Sequence, residues 1–338
     1  MKPTSIISII VCIVFSQSLC VAGSLQPLAP PTSGTMKPLS AIEPRTPVQG
    51  LSGSASSMYV ISESGSYYLT ANINADPNKN GIEITCDNVT VDLKGFSING
   101  AGRSVGSTGT GIYACDMNQV TIQNGFIGHF RDDGINASTG MTLTVENVAV
   151  EDCMYGIRGG DNCIMLNCKI YNIQGVGILV QTLIAENCIS ASNEYGIWVG
   201  GKGVITNCLT YDNNLHGILV TGSGSTIAGC TSYNNADLGI KLQGDGCTVS
   251  NNTVYNNTNG GIQGANRSYI HHNSVNNSAT GIKATSTDNV IEFNLVSNCT
   301  EGLNLFGSGN LYLNNRLSNT TNYVNATGDI DGGGNIEF

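Results

Sequence analysis

A glycine followed by isoleucine recurs along this chain at Gly81, Gly111, Gly134, Gly156, Gly177, Gly196, Gly217, Gly239, Gly261 and Gly281, and Gly-Leu closes the series at Gly302. The opening interval is 30 residues and contains the insertion GAGRSVGSTGT; every later interval lies between 19 and 23. Self-similarity at such a period restricts the chain to architectures in which each repeat stacks on its neighbours. Each repeat carries a second segment after its glycine, reading VTIQN, LTVEN, IMLNC, LIAENC, VITNC, TIAGC, TVSNN, YIHHN, VIEFN and LYLNN in turn. These are short alternating segments separated by Gly, Asn, Asp and Ser, the pattern of strands and turns. Nothing between them is long enough for a helix, and the several leucines of a leucine-rich repeat are missing, as is a strict six-residue period. A strand-only repeat of about 21 residues fits one turn of a parallel β-solenoid, with successive turns about 4.8 Å apart. About eleven such turns would make a rod about 50 Å long.

The Gly-Ile strand, the V-x-I-x-N-C/N strand and the Asn-rich turns resemble the parallel β-helix repeats of the pectate-lyase-like superfamily, from Gly81 to about Asn325. The resemblance implies an all-β chain folded as a right-handed single-stranded parallel β-helix of about eleven coils. It does not select an activity. That scaffold serves polysaccharide lyases, epimerases, glycosidases, phage tailspikes, adhesins and a copper-delivery protein, and function resides in the site rather than in the fold.

The flanks read differently. Lys2, an apolar run from Ile6 to Phe15 and small residues around Cys20-Val21-Ala22 give residues 1–22 the form of a secretory signal peptide. Leu19 is bulkier than the residue a lipidation site accepts before its cysteine, which favours a cleaved, soluble export product, secreted or held at the cell surface or in the periplasm. Residues 23–57, rich in Pro, Ser and Thr, read as a linker, 58–80 as N-terminal cap strands, 81–326 as the β-helix and 327–338 as a C-terminal tail. The net charge of −10 excludes nucleic acid as a favoured partner, because phosphate repels an acidic surface. No later segment approaches the length of a membrane span.

Aligned on the second strand, Asn124, Asn147, Asn167, Asn187, Asn207, Gly229 and Asn251 form one column. The next reads Cys168, Cys188, Cys208 and Cys230, then Asn252, Asn273, Asn294 and Asn315. Identical residues once per turn predict ladders in which side-chain amides pair along the rod and satisfy turn backbone. Of the 12 cysteines, Cys12 and Cys20 fall in the signal segment. The rest are expected mainly as buried thiols, since in-register side chains point the same way, a poor arrangement for bridging; a disulfide framework is the alternative.

The residue after each Gly-Ile is expected to face outward: Tyr113, Asn136, Arg158, Leu179, Trp198, Leu219, Lys241, Gln263, Lys283 and Asn304. Trp198, the only tryptophan, would offer a sugar ring a flat partner with Tyr195 and Arg158 as further substrate-binding residues. Glu194, His216, Asp237 and Lys241 are candidates for catalysis. Glu194 and Asp237 fall two turns apart, on the order of 10 Å, slightly too far for the carboxylate pair of an inverting glycosidase. Uronate chemistry would need a base and a neutralised substrate carboxylate, roles open to Arg158, Lys241, Tyr195 and His216. Asp132, Asp133, Glu151 and Asp152 could together supply oxygens for Ca²⁺, although the sequence requires no cofactor. The tyrosine-glycine-aspartate-proline-histidine pattern of alginate epimerases is missing. RDDG and LHG echo only faintly the double-aspartate and Gly-His-Gly patterns of polygalacturonases. The leading expectation is a β-helix that binds an extracellular polysaccharide or cell-surface glycan along its outer sheet. The alternatives are a lyase, epimerase or hydrolase using that face, and a structural or adhesive rod.

Overall fold

The computed structural model describes residues 44–102 and 108–338. The signal segment, most of the linker and the middle of the Gly-rich insertion lie outside the described residues. The chain divides into two units, and the second, Arg45–Phe338, holds all the strands described below. It is a parallel β-solenoid built from two sheets.

The narrower sheet has thirteen strands, one per turn, from Ser57–Ile61 through Asp133–Ala137 and Tyr195–Val199 to Thr321–Val324. Its central column runs in register through Tyr59, Ile82, Ile112, Ile135, Ile157, Ile178 and Ile197. It continues through Ile218, Ile240, Ile262, Ile282, Leu303 and Tyr323. The isoleucines of this column are at most 1% exposed. The wider sheet has 25 strands, two per turn through most of the rod, and its Val, Ile and Leu face the same interior. That interior is narrow, which explains the glycine of each Gly-Ile pair. A Cβ on Gly156 would stand 2.6 Å from Ile170 Cγ2 and 2.3 Å from the Gly177 carbonyl oxygen. The glycine is there for close approach, since its φ is unexceptional.

Two expectations need correction. The turns number thirteen rather than about eleven, because the end turns lack the Gly-Ile signature: Ser57–Ile61 reads SMYVI and Thr321–Val324 reads TNYV. In the flanks, Thr46–Pro47 pairs with Gly65–Tyr68, within the segment expected as cap strands, and Ile330–Gly333 pairs with Leu311–Leu313. The Asn124–Asn251 column is likewise not a buried amide ladder. Its residues hold φ between 54° and 65°, the left-handed bend between strands, which Asn and Gly tolerate best. Asn147, Asn167, Asn187 and Asn207 are exposed, and Asn147 to Asn124 is the one amide pair there among the described residues.

The ladder proper is the next column. Asn252, Asn273 and Asn294 are each 1% exposed, and each Nδ2 donates to the following Oδ1 at 2.9–3.0 Å while the backbone N–H donates to the same oxygen. A second ladder links Asn193, Asn213, Asn235 and Asn257, all buried. The ten described cysteines are unbridged, eight of them buried. Burial pushes the Cys163 thiol up to about 12.

Candidate functional site

The residue after each Gly-Ile forms one continuous column on the outside of the narrow sheet. Tyr113, Asn136, Arg158, Leu179 and Trp198 are cross-strand partners in succession, and Leu219, Lys241, Gln263, Lys283 and Asn304 carry the series on. Exposure along it is uneven. Asn136, Leu219 and Asn304 are buried, whereas Tyr113 is exposed and the Trp198 residue half-buried. Leu219 lies between Trp198 and Lys241, whose larger side chains stand on either side of it.

Further polar side chains come from the residue just before four of the glycines: Asp133, Tyr155, Tyr195 and His216. Strict alternation would turn these side chains inward. They face out because the glycine occupies the inward direction, as the blocked Cβ positions of Gly134 and Gly156 show. Together with the column these side chains make the chemically varied face of the rod, and they gather into two clusters.

The first cluster is Asp133, Asn136, Arg158 and Tyr155. Asp133 is 1% exposed, and its Oδ2 accepts hydrogen bonds from Asn136 Nδ2 at 2.6 Å and Arg158 Nη2 at 2.5 Å. The Arg158 guanidinium stacks over the Tyr155 ring, 4.8 Å from its centroid. Asp133 Oδ1 and Arg158 Nε are buried without a partner among the described residues. Burial holds the Asp133 carboxyl above its ordinary pKa, a shift that the Arg158 bond and charge oppose. Tyr113, Asn80 and Asp132 border a groove of about 290 Å³ beside it.

The second cluster is Tyr195, Trp198, His216, Asp237 and Lys241. The Tyr195 and Trp198 rings stand 5.2 Å apart, and His216 meets Tyr195 edge-on at 5.7 Å. His216 is 5% exposed, with Nε2 3.2 Å from Lys241 Nζ and Nδ1 3.4 Å from Asp237 Oδ2. The Leu238 N–H also lies 3.4 Å from Nδ1, which cannot serve both groups. The hydrogen bond at Nδ1 is donated by the Leu238 N–H, while the Lys241 ammonium, a donor only, approaches Nε2. Burial holds the His216 imidazole below its ordinary pKa, aided by the Lys241 charge and opposed by Asp237. Burial, then the Glu194 and Asp237 charges, raise the Tyr195 phenol. A groove of about 210 Å³ begins at Asp237 and Lys241 and runs over Asn259, Gln263, Thr280 and Lys283.

The structure thus brings together five residues singled out in the sequence: Tyr195, Trp198, His216, Asp237 and Lys241. Glu194 stands exposed at the start of the same turn, with no side-chain bond into the cluster among those described. Arg158 belongs to the first cluster, two turns from Trp198, or about 10 Å. Asn136 and Tyr155, Asp133's neighbours, and the groove residues Asn259 and Gln263 were not foreseen as site residues. Their rows relative to the glycines carried the signal.

The proposed calcium group does not assemble. Asp133 is taken up by Arg158, and Asp132 Oδ2 accepts from the Gly109 N–H at 3.0 Å. Glu151, the last residue of the wide-sheet strand Leu143–Glu151, and Asp152 just after it flank His129 instead, at 3.7 and 3.1 Å. Among the described residues no three His, Cys, Asp or Glu side chains surround a common point.

The family described as “Right handed beta helix region” matches residues 180–322. The A-module of a mannuronan C-5 epimerase from Azotobacter vinelandii is similar in structure: TM-score 0.59, 13% identity, covering 87% of this chain and 99% of that one. The Dettilon tailspike protein gives a TM-score of 0.48 at 18% identity, over 83% of this chain and 58% of its own. A periplasmic alginate epimerase gives 0.46 at 13% identity, over 82% and 76%. No curated protein matches the chain in sequence. At these identities the likeness is one of fold.

Proposed function

We propose that this chain, a right-handed parallel β-helix repeat protein, binds an extracellular polysaccharide along the narrow sheet, with Trp198 at the centre of the bound stretch. The observation that carries this reading is the Tyr195–Trp198 pair beside a polar groove. An aromatic ring gives the apolar face of a pyranose a flat partner, and Asp237, Lys241, Asn259 and Gln263 offer hydroxyls both donors and acceptors. Consecutive turns about 4.8 Å apart give the face the linear repeat that a polymer chain needs. The form of residues 1–22 makes export the setting for such a ligand. No helix among the described residues is long and apolar enough to cross a membrane.

A second reading, processing of the same polymer, is favoured by the Asp237–His216–Lys241 chain of carboxylate, imidazole and amine. Such a chain can move a proton between a buried ring and a surface amine. A panel of neutral and acidic polysaccharides, read in parallel for retention of the protein and for new reducing ends or unsaturated products, separates the two. Retention without product supports binding, product supports processing, and neither across the panel sinks both.

A further inference from the structure

The segment YIHHN of one repeat takes no part in the narrow-sheet face; it lies on the wide-sheet strand Tyr269–His271 and the bend after it. His271 and His272 bring their Nδ1 atoms to 2.9 Å from each other. His272 holds φ 55° in the column whose other members are Asn or Gly, apart from Phe293 one turn on at 53°. A histidine in this bend is costly, and here the bend turns its ring back onto the preceding one. Both rings are steadied by aromatic neighbours. His271 stacks on Tyr269 at 4.1 Å and 24°, and His272 on Phe293 at 5.1 Å and 23°. Glu292 is the cross-strand partner of His271, and its Oε1 accepts the Tyr269 hydroxyl proton.

We infer that His271 and His272 form a two-histidine surface chelate for a late divalent transition metal of the nickel or copper kind. Two imidazole nitrogens about 2.0–2.1 Å from one metal stand about 2.9 Å apart at a right angle and about 3.4 Å apart at the tetrahedral angle. At 2.9 Å the two nitrogens are already close enough for one ion to bridge them. Both nitrogens are on partly or fully exposed side chains, and small ring rotations turn their lone pairs to a common point. The proton now shared between the two Nδ1 atoms moves to the Nε2 of its own ring, so each neutral imidazole ligates through Nδ1.

The test is an Ni²⁺ titration of the untagged full chain by calorimetry; Ni²⁺ does not oxidise thiols. One site per chain is expected, weakening as pH falls and the imidazoles take up protons. His271→Gln and His272→Asn should each lower affinity at least about tenfold. His272→Asn restores the residue found at this bend in neighbouring turns, so its thermal midpoint should hold or rise. His129→Asn, remote from the pair, should bind as the wild type does. Absence of Ni²⁺ binding, or equal affinity in the wild type and His272→Asn, overturns the inference.

Discussion

The two clusters on the narrow sheet differ in how their charges are used. Around Asp133 a guanidinium and an amide converge on one carboxylate oxygen two turns from Trp198, and Asp133 Oδ1 and Arg158 Nε have no partner among the described residues. Around His216 the polar groups are strung out instead, from Asp237 through the imidazole to Lys241, beside two aromatic rings and a groove. Both hold a group that burial penalises when charged, yet with opposite sign, since Asp133 is pushed up and His216 pushed down. The buried ion pair around Asp133 bears on stability, and the chain around His216 adjoins the two aromatic rings. Arg158, expected from the sequence to bind substrate, pairs with Asp133 in this cluster.

Arg158→Met gives the largest expected effect. It leaves the Asp133 carboxylate buried with only Asn136, and unfolding in denaturant at neutral pH should show a loss of about 3 kcal/mol. The folded pKa of Asp133 lies above the unfolded value, so the cost of keeping it charged is present at neutral pH and disappears as pH falls through the folded pKa. The Arg158→Met deficit should therefore shrink on acidification. A deficit independent of pH, or none, would place Arg158 outside that pair.

Lys241→Met should act more mildly, by about 1 kcal/mol or less on stability, because Lys241 is half-exposed. Its telling readout is the His216 titration followed by NMR. The Lys241 charge depresses the imidazole, so removing it should raise the His216 pKa. An unmoved titration would break the chain at its first link.

The smallest effect is a pair of opposed slopes. With its folded pKa below the unfolded one, His216 contributes stability that is complete above about 6.5 and is lost as pH falls toward the folded value. Between pH 7 and 5 the wild type should lose stability relative to His216→Gln. At lower pH it should gain relative to Asp133→Asn, because the folded form holds the Asp133 proton more tightly. Slopes of the same sign in the two comparisons would remove the contrast between the clusters.

How legible these features were depends on what fixes them. The Gly-Ile column was readable because it obeys one rule per turn, an inward Ile beside a glycine with no room for Cβ, and register does the rest. The end turns were not, since Tyr59 and Tyr323 occupy the Ile column there and nothing in SMYVI or TNYV marks a repeat. The Asn column was seen but its role misjudged. Repetition of Asn fits a ladder and a left-handed bend equally well, and only the backbone separates Asn207 at φ 54° from Asn273 in its hydrogen-bonded stack. The handover from Cys168–Cys230 to Asn252–Asn315 was visible as a change of letter. Its physical continuity was not: the Cys188 thiol donates to the Met165 carbonyl as Asn252 Nδ2 donates to that of Ile227. In the site, residue types pointed to Trp198, Tyr195 and His216, but Asp237 was paired with Glu194. The structure joins it to His216, because side-chain reach between adjacent turns decides the pairing and composition does not.

The central claim is that the aromatic face, and not the ion pair two turns away, receives the polymer. The direct measurement is the dissociation constant of a polysaccharide identified by the panel, determined by calorimetry for the wild type, Trp198→Ala and Arg158→Met at a temperature where all three are folded. The account predicts at least a tenfold loss, about 1.4 kcal/mol, in Trp198→Ala and little change in Arg158→Met. Equal affinity in the wild type and Trp198→Ala, or a loss confined to Arg158→Met, would contradict it.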